Sequence, residues 1–177
     1  MSTVPTIAEW FSPKRLAREY RAAWNTPGYL VSLIVSCLVL SGALYANFWA
    51  IDHATAEAGP QVADLILSSF PALEVDGFFV YGTFIVVGFA ALIILAQPRS
   101  IPFVLHGLTF FMLIRSGFTL LTHLGPPEAS YASDFGATIT SAFFGSDQFF
   151  SGHTGMPFLA ALAYWHIPWI RNTFLAY

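Results

Sequence analysis

The chain has 177 residues, 56% of them hydrophobic and only 10% charged, with a formal net charge of −3. Soluble domains carry about 25% charged residues, so this composition and a mean hydropathy of +0.64 exclude an ordinary water-soluble domain and point to a membrane protein. The one cysteine, Cys37, excludes an intrachain disulfide, and the seven Lys and Arg residues form no basic patch of the size nucleic acid requires.

In chain order, residues 1–28 read as a polar head. Ser12-Pro13 is a helix start, a cap followed by a first-turn proline. Leu16, Tyr20, Ala23 and Trp24 recur at helical spacing, with Lys14, Arg15, Arg18 and Arg21 between them. That pattern predicts a short basic amphipathic helix on a membrane surface, and a plain solvated charge run fits the same residues.

Residues 29–177 read as the transmembrane domain. Tyr29 to Ile51 is uncharged and roughly 23 residues long, enough to cross a bilayer and too long for the apolar core of a cleaved signal peptide. A loop from Asp52 to Asp76 has acidic residues but no Lys or Arg, and Val62, Leu65, Ile66 and Phe70 within it suggest a short helix. Gly77 to Ala96 is a second uncharged span, and a tight connection through Pro98, Arg99 and Pro102 leads to a third span ending near Leu124. A second loop without Lys or Arg runs to Phe150. A fourth span runs from about Ser151 to Trp165, and a fifth apolar run begins near Ile167 and stops at Tyr177. The expected fold class is all-α, a polytopic transmembrane helix bundle. By the positive-inside rule the head is cytoplasmic and both acidic loops face out. The short loops and compact build suggest a bacterial inner membrane, with the site described next on the periplasmic side.

Two features in the spans carry chemistry. The first is Ser151-Gly152-His153-Thr154, where the chain turns apolar. Ser151 is a suitable N-cap, the helix start it opens is a natural anion site, and His153 beside it can exchange a proton near neutral pH. A histidine near a helix start is also often no more than an interfacial polar residue. The second is Arg115, roughly 13 Å inside the outer end of the third span. An intramembrane arginine is costly and has a partner or a task. Thr119 and Thr122 follow at i+4 and i+7, and a guanidinium with hydroxyls is a phosphate-binding set. A structural ion pair, with Asp147 for instance, or snorkelling to the interface would also account for Arg115. For Arg115 and His153 to meet, the start of the fourth span must sit below the headgroup plane.

Phe110-Phe111-Met112-Leu113-Ile114-Arg115, followed by Thr122, Leu124 and Pro126-Pro127, resembles the arginine-to-proline motif of the sphingomyelin synthase-like branch of the type 2 phosphatidic acid phosphatase superfamily. Asp147 followed by Ser151-Gly152-His153-Thr154 resembles that branch's next motif, with Gly145-Ser146 in place of its Cys-Gly pair. The resemblance covers about residues 30–177 and implies a six-helix layout, of which four spans and the start of a fifth are present. It implies a lipid phosphatase or headgroup phosphotransferase acting at the outer membrane face on a lipid phosphoester or phosphodiester. It further implies that Arg115 and the Ser151-Gly152 turn, with Thr122, hold phosphate, that His153 is the general acid and that Asp147 supports it. Metal and cofactor play no part in such a mechanism, which proceeds through a phosphohistidine on a second histidine paired with aspartate. That later motif does not occur, since no His follows His166 and no Asp follows Asp147. His166 lies roughly 20 Å from His153 along a helix, and His53, His106 and His123 are expected to be structural or interfacial. The expectation is therefore a fragment or truncated product with little activity by itself. The alternatives are a non-catalytic membrane protein that binds lipid phosphate and a structural membrane subunit.

Overall fold

The computed structural model describes residues 7–57, 59, 76–122 and 152–177, with side chains from residue 81 onward in the second of the long segments. The described residues are helical, joined by short turns, and no strand occurs among them. The elements are α1 (Ile7–Trp10), α2 (Pro13–Trp24), α3 (Tyr29–Ala56), α4 (Asp76–Ala96), a 3₁₀ turn (Pro98–Ser100), α5 (Ile101–Leu121), α6 (Gly152–Ala163) and α7 (Pro168–Leu175). Two helices are long and apolar enough to cross a membrane, Tyr29–Ala56 and Pro98–Leu121, the latter including the 3₁₀ turn. Most of their large apolar side chains are exposed, Leu38, Phe48, Phe103 and Phe110 among them. A helix buried in a soluble core would cover that surface.

α3 continues five residues beyond the predicted end at Ile51. Its last turns contain Ala50, Ala54 and Ala56, strong helix formers. Trp49 and His53 stack at 5.2 Å, and His53 lies 3.6 Å from Glu57 in an i,i+4 pair. These local contacts support helix where hydropathy alone drops. The residues predicted to form a helix at 62–70 lie outside the described residues.

α3 and α5 run parallel along a seam of small residues. Tyr29, Ser36, Ala43 and Ala50 are buried at seven-residue intervals on α3, and Pro102, Thr109 and Ser116 are buried at the same interval on α5. A seven-residue period keeps one face of a helix on its neighbour, and small side chains let the two backbones approach. Polar contacts fix the register. Tyr29 donates its hydroxyl to the Pro98 carbonyl at 2.8 Å, Ser36 Oγ meets His106 Nδ1 at 2.9 Å, and Arg115 meets Asn47 further along.

α6 runs antiparallel to α5. Leu159 packs on Gly107, and Gly155 sits so close to Phe111 that a β-carbon there would overlap the ring. Nearer the other end of the pair, the Ser100 and Tyr164 hydroxyls are 3.1 Å apart. α7 then folds back beside α6, burying Ile170 and Phe174, and ends with the Tyr177 hydroxyl 3.0 Å from Thr83 Oγ1 of α4.

The core gathers at the end where α4, α5, α6 and α7 approach their turns, around Ile93, Val104, Tyr164 and Ile170. The predicted head joins it. Trp10, 2% exposed, meets Trp169 edge to face at 5.6 Å. Arg15 donates to the Trp10 carbonyl at 2.9 Å and lies 4.4 Å over its ring. Ser12 and Pro13 begin α2 where the sequence predicts, and Gly28, at φ 77, turns the chain from α2 into α3 in a left-handed conformation that favours glycine.

Candidate functional site

At the other end of the bundle, α3, α5 and α6 bring together the polar groups within the apolar frame. Arg115 Nη1 donates to Asn47 Oδ1 at 2.7 Å, and both residues are half-buried. Asn47 lies on the small-residue side of α3, between buried Ala43 and Ala50. An amide oxygen is a suitable acceptor for an intramembrane cation, since it accepts a strong hydrogen bond without adding a countercharge. Asn47 thereby holds the guanidinium on one side.

The antiparallel alignment set by Phe111 with Gly155 and Gly107 with Leu159 carries Arg115 level with the first turn of α6. His153 lies in that turn, half-buried, and the Arg115 charge acts on it coulombically. The imidazole and the guanidinium thus face one electrostatic environment across two helices. Pro157 lies inside α6 and has no N–H to give to the His153 carbonyl four residues earlier.

The hydroxyls near Arg115 are used within α5. Ser116 Oγ donates to the Met112 carbonyl at 2.7 Å, and Thr122 Oγ1 donates to the Phe118 carbonyl at 2.8 Å. Thr122 is the residue after the last turn of α5, in an extended conformation, and not a further step along its helical face. A hydroxyl proton so committed is not offered to an anion, so Thr122 matches its predicted phosphate-binding role only after a change of partner. Thr119, on the Arg115 face, is buried at 3% exposure. Gly152 begins α6, while Ser151, Asp147 and His123 lie outside the described residues. His106 is held by the Pro102 carbonyl at 2.7 Å and by Ser36, His53 stacks on Trp49, and His166 is exposed in the turn after α6.

Below His153, an apolar cavity of about 320 Å³ lies among α4, α5, α6 and α7. It follows α6 from His153 to Ala163, a length of about 15 Å at the helical rise. Val87, Ala91, Phe103 and Leu159 are among its walls, and Thr83 and Tyr177 add a polar pair. Among the described residues no group of three or more His, Cys, Asp or Glu could hold a metal ion.

Asn47 is the participant the sequence reading missed. Its signal is an amide set in the first span four residues after Ala43 and three before Ala50, on the stripe begun by Ser36. In comparisons with known proteins, no family model, no curated protein and no solved structure matches the chain.

Proposed function

We propose that this protein is a polytopic membrane protein that takes a phosphorylated lipid, seating the phosphate between Arg115 and His153 and a tail in the apolar cavity beneath. The observation that carries this reading is the antiparallel packing of α5 on α6, which sets Arg115 level with His153, a residue that lines the cavity. Arg115 supplies charge and planar donors, and Asn47 orients it. The reading extends to cleavage of a phosphoester or phosphodiester at the outer membrane face, as hydrolysis or headgroup transfer. A nucleophile bonds to phosphorus, the bond from phosphorus to the lipid alcohol breaks, the electron pair leaves on the alcohol oxygen, and protonated His153 gives that oxygen its proton. The residues named in this reading hold the anion and donate the proton.

Binding of short-chain phosphatidic acid to the purified protein, together with phosphate release, tests this. Arg115→Gln weakens binding by roughly 10- to 100-fold, the range for lost hydrogen bonds to a charged group. His153→Ala leaves binding within a few-fold and lowers whatever phosphate release the protein shows by about 10²–10⁴. Unchanged affinity in Arg115→Gln contradicts the proposal. A second reading, a structural subunit in which Arg115 serves only to fasten α5 to α3, is favoured by the 2.7 Å bond to Asn47. Under it, Arg115→Gln and Asn47→Leu destabilise the fold alike and the protein shows no affinity for the lipid.

A further inference from the structure

The opposite end of the α3–α5 pair has an open hollow of its own, mostly apolar but edged by a few polar side chains. The Thr26–Gly28 turn, the start of α3 and the start of α5 border an open space of about 520 Å³. Arg99, Ser32 and His106 form its polar wall, and Tyr29, Pro102 and Phe103 its apolar wall. Arg99 is exposed and makes no hydrogen bond or ion pair among the described residues.

His106 has a defined role for only one ring nitrogen. Its contacts to the Pro102 carbonyl at 2.7 Å and to Ser36 Oγ at 2.9 Å are both made through Nδ1. A carbonyl oxygen only accepts, so Nδ1 carries a proton and Nε2 is left for another group.

The surroundings are net basic, with Glu9 and Glu19 the acidic residues of α1 and α2. Lys14, Arg15, Arg18, Arg21, Arg99 and Arg171 are six of the seven Lys and Arg residues in the chain. α2 packs against the 3₁₀ turn bearing Arg99, and Arg171 lies in the first turn of α7 at the same end of the bundle. Arg15 and Arg171 lie over the rings of Trp10 and Trp165, and Arg18 lies 3.9 Å from Glu19. Arg99 is the cation at the cavity. Phe103, 66% exposed on the apolar wall, and Leu30 and Val31, exposed on the first turn of α3, make this border attractive to lipid as well as to an anion.

We propose that this cavity holds the phosphate of an anionic phospholipid. Arg99 donates to the phosphate oxygens, Ser32 and His106 line the space beside them, and Phe103 packs on the glycerol and upper acyl region. Basic pockets between membrane helices recognise anionic headgroups in this way. The inference rests on the membrane-spanning reading of α3 and α5 and is independent of phosphoester chemistry at Arg115 and His153.

The test reconstitutes the full chain in phosphatidylcholine nanodiscs with a minor fraction of phosphatidylglycerol and measures the phosphatidylglycerol retained after mild delipidation. The protein is expected to enrich phosphatidylglycerol over its bulk fraction. Arg99→Gln reduces that enrichment about fivefold, and Ser32→Phe, which keeps charge but fills the cavity, reduces it similarly. Arg171→Gln, with the same charge loss at the same end, leaves most of it. Equal loss in Arg99→Gln and Arg171→Gln would overturn the site in favour of diffuse surface attraction. Displacement of the lipid by inorganic phosphate alone would assign the cavity to a free anion and overturn the lipid. A chain that inserts but shows no enrichment overturns the site alone, whereas one that does not insert overturns the membrane reading as well.

Discussion

Arg115 shows how much a single residue's chemistry can announce and how little it says about its partner. A guanidinium in an apolar run stands out in sequence because burying an unpaired charge is so costly. Its acceptor, Asn47, is 68 positions earlier, and nothing in the local pattern of either span joins them. The joining signal is the small-residue interval on the two helices, which is periodic in sequence but acquires meaning only once α3 and α5 are known to be neighbours. His153 was legible as a histidine at a helix start, which is where it lies. Its nearness to Arg115 depends on Gly155 admitting the Phe111 ring, a fit that hydropathy does not encode. Thr122 illustrates the opposite case. Counting i+7 presumed that α5 continued, but the helix ends at Leu121 and the hydroxyl turns to its own chain.

At the scale of elements, the helices were legible because apolar runs are properties of single segments, though only Tyr29–Ala56 and Pro98–Leu121 are long and apolar enough to cross a membrane. Their starts at Tyr29, Ile101 and Gly152 fall within a residue of the predicted ones. The fate of residues 7–24 was not legible, since the amphipathic pattern that suits a membrane surface also suits packing on the base of a bundle. Trp10 decides for the bundle by filling a space among α4, α5 and α7. The packing of α5 on α6 gives the test that belongs here. Gly155→Ala forces the Phe111 ring to move and is expected to destabilise the protein by about 1–3 kcal/mol, as overpacking does. Combining it with Phe111→Leu should recover part of that loss. Reversible unfolding in mixed micelles measures it, and a Gly155→Ala protein as stable as the parent would show that the two helices do not meet at this point.

For the molecule as a whole, the apolar exterior is the dominant fact. Large apolar side chains of α3, α4 and α5 lie exposed along their lengths, a surface that water does not tolerate and lipid does. Cys37 offers a direct probe, since it is exposed on α3 eight residues after Tyr29, about 12 Å along the helix. In sealed vesicles Cys37 is expected to resist a charged maleimide and to react once the protein is unfolded in detergent. Rapid labelling in intact vesicles would contradict a membrane-spanning α3. Within such a bundle, one end carries Asn47, Arg115 and His153 above an apolar cavity, and the other carries most of the basic residues. Under the proposed function, this separation puts the phosphate seat at one end of the bundle and the basic residues at the other. The central claim is that Arg115 and His153 hold one phosphate between them. A double-mutant cycle with Arg115→Gln and His153→Ala, read as binding of short-chain phosphatidic acid in nanodiscs, measures that most directly. A shared guest gives a coupling of about 0.5–3 kcal/mol between the two substitutions, whereas strictly additive losses would mean that the two side chains never grip the same phosphate.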